Sequence, residues 1–388
     1  MKRTLLLGLC LMSALGILLF VSACGGGAPA TKEPIKVGFL TSYTGAFADY
    51  GPLQEEGVKM RLEEVNYQFA GRPIKLFIND DASDAGVALD KVKKMITMDK
   101  IDVLIGPLLS PCAAAVAPYL GENKVPGIGL MTKPYATSKS GAYLLPYGSL
   151  YQEGMVLGWY AWDFLKYKSV TTIGADMVNG REFITGAVDM FKQKGGTVVQ
   201  QQWPKPTEID FGPYLTAMQK ADASMSWLGT AQEMQFMKQY KEFGIKTPPL
   251  LVSADQLRTH QLKALGDSIV GVKGSIQYSS LLDNAANKKF VAAFRAKFNK
   301  PPERDQHSSY VAASIMLLGL EATKGDTAYD KLYPAMLKLK IDDPQGPIVF
   351  ESNGNGVVSK YIAEAKVVNG EYLWSPIYEY KEVKYQGP

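Results

Sequence analysis

The sequence predicts an α/β protein with two lobes of similar size. Its 388 residues are too many for one ordinary hydrophobic core, so two domains are expected. With 46% hydrophobic and 21% charged residues, the composition is that of a soluble globular protein. From residue 34 onward, short strand patterns alternate with helical patterns, and the alternation starts again near residue 150. Strands that alternate with helices imply right-handed crossovers and mainly parallel sheets.

The first unit is predicted from four strand patterns. Each of the first three is followed by apolar residues at helical spacing. After the third strand, Ala113, Val116, Ala117 and Leu120 lie at i, i+3, i+4 and i+7, which is one face of a helix. The four strand patterns are PIKVGFL (34–40), PIKLFIND (73–80), IDVLIGP (101–107) and VPGIGLM (125–131).

The second unit begins with a helical pattern around GMVLGWYAWDFLK and continues with five strand patterns. Two further helices follow, FVAAFRAKFNK and SYVAASIMLLGLEATKG. The chain then shows two alternating runs joined by Asn369-Gly370, which predicts a β-hairpin. The five strand patterns are SVTTIGAD (169–176), GTVVQQQW (196–203), SMSWLGT (224–230), PPLLVSA (248–254) and VKGSIQYSS (272–280).

The N-terminus has the pattern of an export signal. Two basic residues precede an apolar stretch that ends in small residues just before Cys24. This pattern predicts a secretory signal over residues 1–23, and an uncleaved membrane anchor is the alternative. Residues 24–33 are rich in glycine and proline, which predicts a flexible tether.

Composition and motifs argue against several classes of function. The net charge of +4 is small and is not gathered into a basic block, so no nucleic-acid partner is expected. Two histidines and one cysteine in the mature chain lie in unrelated segments, which makes a metal site a poor interpretation. The sequence has no Walker-type phosphate loop, and IGADMVNG lacks the dinucleotide-binding spacing. No cofactor is predicted.

Several segments, in their order and spacing, resemble the type I periplasmic solute-binding proteins of ABC transporters, in the leucine/isoleucine/valine-binding branch. The resemblance implies two Rossmann-like lobes joined by a hinge that the chain crosses three times. The first lobe would comprise residues 34–147 and 280–345, and the second residues 148–279 and 346–388. The segments are IKVGFLTSYTGAFADYGPLQEEGVK, IKLFINDDASDAGVALDKVKKMI, IDVLIGPLLSPCAAAVAPYLGENKVPGIGL, DFGPYLTAMQKADASMSWLG and the start of FNKPPERDQHSSYVAASIML.

The resemblance also implies a function. VSAC followed by GGG is similar to a bacterial lipobox, in which Cys24 would be lipidated and would hold the exported protein on the membrane, in the periplasm or at the cell surface. The lobes would close on a small ligand, and the closed monomer would deliver it to the membrane subunits of an ABC permease. The expected ligand is a small carboxylate: a branched-chain or other amino acid, or an aromatic or aliphatic acid.

Ser110 is the leading candidate for contact with that carboxylate, and the neighbouring Leu109 is a second ligand candidate. Ser110 is placed as a helix N-cap after Leu109, with Pro111 at the first helical position. A helix N-terminus exposes unpaired N–H groups, which suit an anion. The resembled family has a ligand-binding serine at this position, although capping alone would also explain Ser110.

Three more candidates in the first lobe come from the resemblance. Tyr50 matches an aromatic residue that covers the ligand, with a core or rim role as the alternative. Met131 and Thr132 align with a turn that offers backbone and hydroxyl groups to the ligand. Here LMTKP replaces the more usual run of small residues, so Met131 and the nearby Lys133 argue against a standard branched-chain amino-acid pocket.

The second lobe contributes four candidates. By the resemblance, Asn179 lies in a loop that in the family usually presents an aromatic residue, and Trp227 and Thr230 would lie at a strand end that faces the same cleft. Asp255 is the candidate partner for a ligand ammonium group, and a solvated loop aspartate is the alternative. Without that acid, the ligand would be a carboxylate that lacks an amine.

Two other functions remain open at the sequence level. An extracytoplasmic hydrolase would use Ser110 or Cys112 as its nucleophile and would need His260 or His307 beside it. A packed, unreactive thiol is the simpler interpretation of Cys112, although a helix N-terminus favours thiolate formation. A ligand-sensing receptor subunit on the same fold would pass lobe closure to a signalling partner instead of a permease.

Overall fold

The structure is a computed structural model that describes residues 33–245 and 248–387. The predicted signal, the predicted lipidation site Cys24 and all of the predicted tether except Glu33 lie outside the described residues. No helix among the described residues is both long enough and apolar enough to span a membrane.

The first sheet contains six strands of the described chain in the order β2-β3-β1-β4-β5-β6. All neighbouring strands are parallel except β2 and β3, so the predicted parallel sheet is confirmed. The carboxyl ends of its parallel strands therefore lie at one edge, where ligands usually bind in such sheets. The strands are β1 (Ile35–Thr41), β2 (Gln68–Phe69), β3 (Arg72–Asp80), β4 (Val103–Ile105), β5 (Gly127–Ile128) and β6 (Tyr143–Leu144).

The second sheet is mixed and contains nine strands of the described chain, in the order β12-β13-β14-β11-β10-β9-β7-β8, with β15 paired to β14. Strands β7 to β11 are parallel, and the later strands are antiparallel. The strands are β7 (Ser169–Gly174), β8 (Thr197–Gln202), β9 (Ala223–Trp227), β10 (Leu250–Ser253), β11 (Lys273–Ile276), β12 (Ile341–Asp343), β13 (Gly346–Phe350), β14 (Gly356–Val368) and β15 (Glu371–Val383).

The hairpin of β14 and β15 confirms the signal in the sequence. Asn369 and Gly370 have φ values of 51° and 83°. Two successive positive φ angles define the type I′ turn, which asparagine and glycine accept most readily.

The helices connect and cover these strands. Apolar residues of α10 and α11 share a buried core with those of β1 and β4, including Ile35, Val103, Ile315 and Leu332. The helices are α1 (Tyr50–Glu63), α2 (Ala85–Lys94), α3 (Ser110–Glu122), α4 (Leu150–Asp163), α5 (Val178–Gln193), α6 (Gly212–Thr216), α7 (Thr230–Glu242), α8 (Thr259–Leu265), α9 (Ala285–Phe298), α10 (Arg304–Ala322) and α11 (Tyr329–Leu337).

Glycines allow two helix pairs to pack closely. A Cβ on Gly57 of α1 would lie 1.9 Å from the carbonyl oxygen of Gln306 on α10. A Cβ on Gly154 of α4 would lie 2.0 Å from the carbonyl oxygen of Phe183 on α5. Only glycine permits such a close approach of two backbones, so these positions fix the spacing of the helices.

Some predicted boundaries were wrong. The fourth strand was predicted over residues 125–131, whereas β5 covers only Gly127–Ile128. The chain turns at Met131, whose φ of 59° lies in the left-handed region and cannot belong to a strand. The predicted lobe boundary near residue 345 stays a prediction, because β12 pairs with the second sheet while its Ile341 packs in the core that contains Ile35.

Candidate functional site

Ser110 begins α3 and contacts the start of α5. The predicted N-cap role was wrong: Leu109 is the N-cap, and Ser110 is the first helical residue. The Ser110 hydroxyl instead accepts a hydrogen bond of 3.1 Å from Asn179 Nδ2. Pro111 has no N–H, so the unpaired donors of this first turn come from the residues on either side of it. The contact joins two predicted ligand residues that are 69 positions apart in the sequence.

Thr132 belongs to a buried polar network. Its hydroxyl donates to Glu153 Oε2 at 3.1 Å and accepts from Gln277 Nε2 at 2.9 Å. Gln277 Nε2 also lies 3.0 Å from Glu153 Oε2, and Ser253 Oγ donates to Glu153 Oε1 at 2.8 Å. Both carboxylate oxygens of Glu153 are therefore engaged inside the protein.

Asp255 is also engaged inside the protein. Its Oδ2 accepts a hydrogen bond of 2.9 Å from the backbone N–H of Gln277. Arg304 Nη1 donates to the Asp255 carbonyl oxygen at 2.6 Å and lies 3.7 Å from Oδ1. Burial raises the pKa of the Asp255 carboxyl, and the positive charge of Arg304 opposes that rise. Asp255 is thus a buried group and not the solvated loop aspartate that was the alternative.

Tyr50 and Met131 lie together in a small apolar cluster. Tyr50, Leu108 and Met131 are buried against one another, and Phe47 and Leu109 pack around them. This cluster therefore contains three of the predicted ligand residues: Tyr50, Leu109 and Met131.

Arg258 covers Tyr50 and connects it to the acids nearby. The guanidinium carbon of Arg258 lies 4.1 Å from the centre of the Tyr50 ring, at cation–π distance. Arg258 also pairs with Asp49 and lies 3.7 Å from Asp305. These contacts hold the tyrosine ring in place from the side of α8.

Trp227 is buried at the carboxyl end of β9. A Cβ on Gly180 would lie 3.1 Å from its ring, which places Trp227 beside the start of α5. Its Nε1 has no hydrogen-bond partner among the described residues. Glu233 holds the strand end on both sides of the tryptophan by accepting from Ser226 Oγ at 2.6 Å and from Leu228 N at 3.1 Å.

Thr230 is the first residue of α7 and is half-buried. No hydrogen bond of the described residues connects it to the other candidates. Its ligand role stays a prediction, as do the ligand roles of the other eight residues.

Sequence reasoning missed the buried partners of these residues. Glu153, Gln277 and Arg304 were not singled out, although an acid in an otherwise apolar helix is a signal that could have pointed to Glu153. Lys133 is only 1% exposed and donates to the carbonyl oxygen of Leu130. Burial, together with the nearby positive charge of Arg304, lowers the pKa of Lys133 to about 7.

Cys112 and the histidines give no support to a hydrolase. Burial raises the pKa of the Cys112 thiol to about 12, so the expectation that the helix N-terminus would favour a thiolate was wrong. Cys112 packs in a buried apolar cluster, and the predicted packed thiol is confirmed. His307 lies between the Tyr147 hydroxyl and Asp343, 2.7 Å from the latter, and His260 is exposed on α8. Among the described residues, neither histidine is hydrogen-bonded to Ser110 or Cys112.

Comparison with known proteins decides the family. A family model described as periplasmic binding protein matches residues 34–371. The chain belongs to this family. It is a class of solute-binding proteins and not of enzymes, and it implies an exported protein. The Leu/Ile/Val-binding protein homolog 6 of Brucella suis is 23% identical over 355 residues, which cover 88% of this chain and 90% of the relative. The predicted resemblance to this family and to its branched-chain amino-acid branch is confirmed.

Two solved structures of ABC-transporter and leucine-binding proteins resemble this periplasmic binding protein over 89–90% of its chain. A solute-binding protein from Rhodopseudomonas palustris in complex with 3,4-dihydroxybenzoic acid is 27% identical, with a TM-score of 0.82 and 98% of its own chain covered. A leucine-binding protein from Thermotoga maritima is 20% identical, with a TM-score of 0.80 and 99% of its chain covered, and it shows the shared fold alone. The two-lobed α/β fold predicted from the sequence is confirmed.

Proposed function

We propose that this periplasmic binding protein captures an organic carboxylate that lacks an α-amine and delivers it to an ABC permease. The proposal rests on the contacts that Asp255 already makes with other protein groups. An amino acid has an ammonium group that needs an acid, because a buried charge without a partner is costly. Asp255 is already bonded to Gln277 and faces Arg304. Glu153, a second buried acid of this region, accepts hydrogen bonds from Thr132, Gln277 and Ser253. A third buried acid, Asp305, lies 3.7 Å from both Arg258 and Arg304, whose positive charges face it.

The carboxylate itself has a suitable place at the start of α3. Ser110 offers a hydroxyl, and the first turn of the helix offers unpaired N–H groups and a positive partial charge. Charge-assisted hydrogen bonds of this kind are the strong ones, with about 1.5–3 kcal/mol for each bond to a charged group. The benzoate ligand of the Rhodopseudomonas palustris relative is a carboxylate without an amine and supports this choice.

Lobe closure would bring the ligand contacts together. The hydrogen bond between Ser110 and Asn179 connects α3, which follows a strand of the first sheet, with α5, which follows a strand of the second. A contact of this kind forms only when the two units approach, so it would report closure to the permease. The small-residue and glycine pattern around Cys24 supports a lipid anchor that holds the protein near the permease.

Leucine and 4-methylpentanoate test the proposal because they differ only in the α-amine. Isothermal titration calorimetry of the purified protein should give 4-methylpentanoate at least tenfold higher affinity than leucine, since leucine would have to bury its ammonium group without an acid. Benzoate and 4-hydroxybenzoate extend the comparison to aromatic carboxylates, and a ligand that binds the folded state raises the melting temperature. Tighter binding of leucine than of 4-methylpentanoate would show that an acid is available to the ligand and would refute the proposal.

A further inference from the structure

A groove runs along the outer face of α3 from the Ser110 end. It has a volume of ≈ 590 Å³, within the range of small-molecule sites. On α3 it is lined by Pro111, Ala114 and Pro118, which are exposed and apolar. Residues 134–140 form the opposite wall. At a rise of 1.5 Å per residue, the eight positions from Ser110 to Pro118 give the groove a length of about 12 Å.

The groove is polar at both ends and apolar between them. Ser110 and Asn179 both line it, so it is continuous with the carboxylate position proposed above. Thr137 also lines it; this residue is only 5% exposed, and its hydroxyl has no hydrogen-bond partner among the described residues. Lys139 also lines the groove: its Nζ lies 5.3 Å from the centre of the Tyr135 ring, and the neighbouring Ser140 lies against Gly121 near the end of α3.

The wall opposite α3 is held firmly by contacts from outside the groove. The backbone N–H of Tyr135 donates to Glu182 Oε1 at 2.9 Å, and Asn353 Nδ2 donates to the Tyr135 hydroxyl at 2.7 Å. The ring of Tyr385 stacks on the ring of Tyr135 with a centroid distance of 3.6 Å. Because α5 and the C-terminal segment hold this wall in place, the groove has a defined shape.

The small apolar cluster around Tyr50 leaves the groove as the free space next to Ser110. Tyr50, Leu108 and Met131 are buried against one another, and none of the three lines the groove. An apolar ligand body that continues from a carboxylate at Ser110 therefore meets packed side chains on one side and the open groove on the other.

We propose that the ligand is an elongated carboxylate whose apolar chain lies along α3 in this groove, with a second polar end near Thr137 and Lys139. This inference rests on the proposed function, because it assumes that the carboxylate binds at Ser110. The chemistry that fits is a medium-chain fatty acid or, more fully, an α,ω-dicarboxylate. The first carboxylate would bind at the helix start, the methylenes would contact Ala114 and the prolines, and the second carboxylate would face Lys139.

Calorimetry with butanoate, octanoate and octanedioate tests this chain-length selectivity. Each methylene that the groove removes from water is expected to tighten binding by about fourfold, less the cost of ordering the chain. Octanoate should therefore bind at least tenfold more tightly than butanoate. Ala114→Phe fills the groove and should abolish that advantage. Ala292→Phe, on the exposed face of α9, is the matched control and should leave both affinities unchanged.

Lys139→Ala tests the far end of the groove. It should weaken octanedioate at least threefold and leave octanoate unchanged. Equal affinities of butanoate and octanoate for the wild-type protein would overturn the groove proposal, as would octanoate binding that Ala114→Phe does not affect. If 4-methylpentanoate or benzoate still bound, the proposed function would stand without the groove. Binding of leucine with no binding of any amine-free carboxylate would refute both.

Discussion

Glu233→Gln should change how the stability of the protein depends on pH. Glu233 lies on α7 and is fully buried. Its two oxygens accept from Ser226 Oγ and Leu228 N, which flank Trp227 in the site. Glutamine can keep both bonds, because its oxygen can accept from Leu228 N while its amide donates to the Ser226 hydroxyl. The substitution therefore removes the charge and leaves the strand end in place.

The size of the effect follows from burial. Burial raises the pKa of Glu233 from an ordinary value of 4.5 to about 7, although Ser226 and Leu228 lower it. The folded state thus binds the proton more tightly than the unfolded state. The stability that this group contributes is fully present below about pH 4.5 and is lost as the pH rises through about 7. The difference corresponds to about 3 kcal/mol in the free energy of unfolding.

Thermal unfolding followed by circular dichroism from pH 5 to pH 8 measures this effect. The melting temperature of Glu233→Gln, relative to wild type, should be about 3 °C more favourable at pH 8 than at pH 5, because an unfolding entropy of about 2.1 cal/mol/K per residue gives about 1.3 °C per kcal/mol for a chain of this size. Glu242→Gln, at an exposed position of the same helix, is the control and should show no such trend. A difference between Glu233→Gln and wild type that stays constant over this pH range would refute the assignment of a raised pKa to Glu233.

Two further predictions concern packing and binding. Gly57→Ala should lower the free energy of unfolding, measured in urea, by about 1–3 kcal/mol, because its Cβ would meet the carbonyl oxygen of Gln306. Gly86→Ala, at an exposed position of α2, should raise the free energy of unfolding by about 0.5 kcal/mol. Equal effects of the two substitutions would contradict the close helix packing. Ser110→Ala should weaken binding of the tightest carboxylate at least tenfold in calorimetry with little change in melting temperature, and Asn179→Ala should weaken it only about fivefold through the lost closure contact. A fall in melting temperature without weaker binding in Ser110→Ala would leave that serine a structural role only.

The fold was predictable because its signals are local. The strands that end at Thr41 and Ile105 consist mostly of buried apolar residues in short runs, which is the pattern of parallel strands covered on both faces. The hairpin at Asn369-Gly370 was predictable for a different reason, since few residue pairs accept two positive φ angles. The two-residue strands β2 and β6 were missed, because a run that short has no period to detect.

The contacts of the site were not predictable because they join distant parts of the chain. Ser253 and Glu153 are 100 positions apart, and Gln277 and Thr132 are 145 apart. The pattern around Asp255 indicated only an acid after a strand, which is equally typical of a solvated loop. Whether that acid is available to a ligand depends on Gln277 and Arg304, which reach it from β11 and α10.

Met131 is the residue at which the candidate site departs most from what the resemblance implies. Its φ of 59° is unfavourable for a residue with a long side chain, and such strain persists only where the surrounding structure enforces it. Here the turn directs a bulky side chain against Tyr50 and Leu108, in a position where the family more usually has small residues. One residue in a turn thus adds a bulky side chain to the cluster around Tyr50. The carboxylate position at Ser110 remains, and the free volume beside it lies along α3. Selectivity for an amine-free carboxylate and selectivity for a long one would then have separate structural causes: the engagement of Asp255 for the first, and the bulk of Met131 for the second.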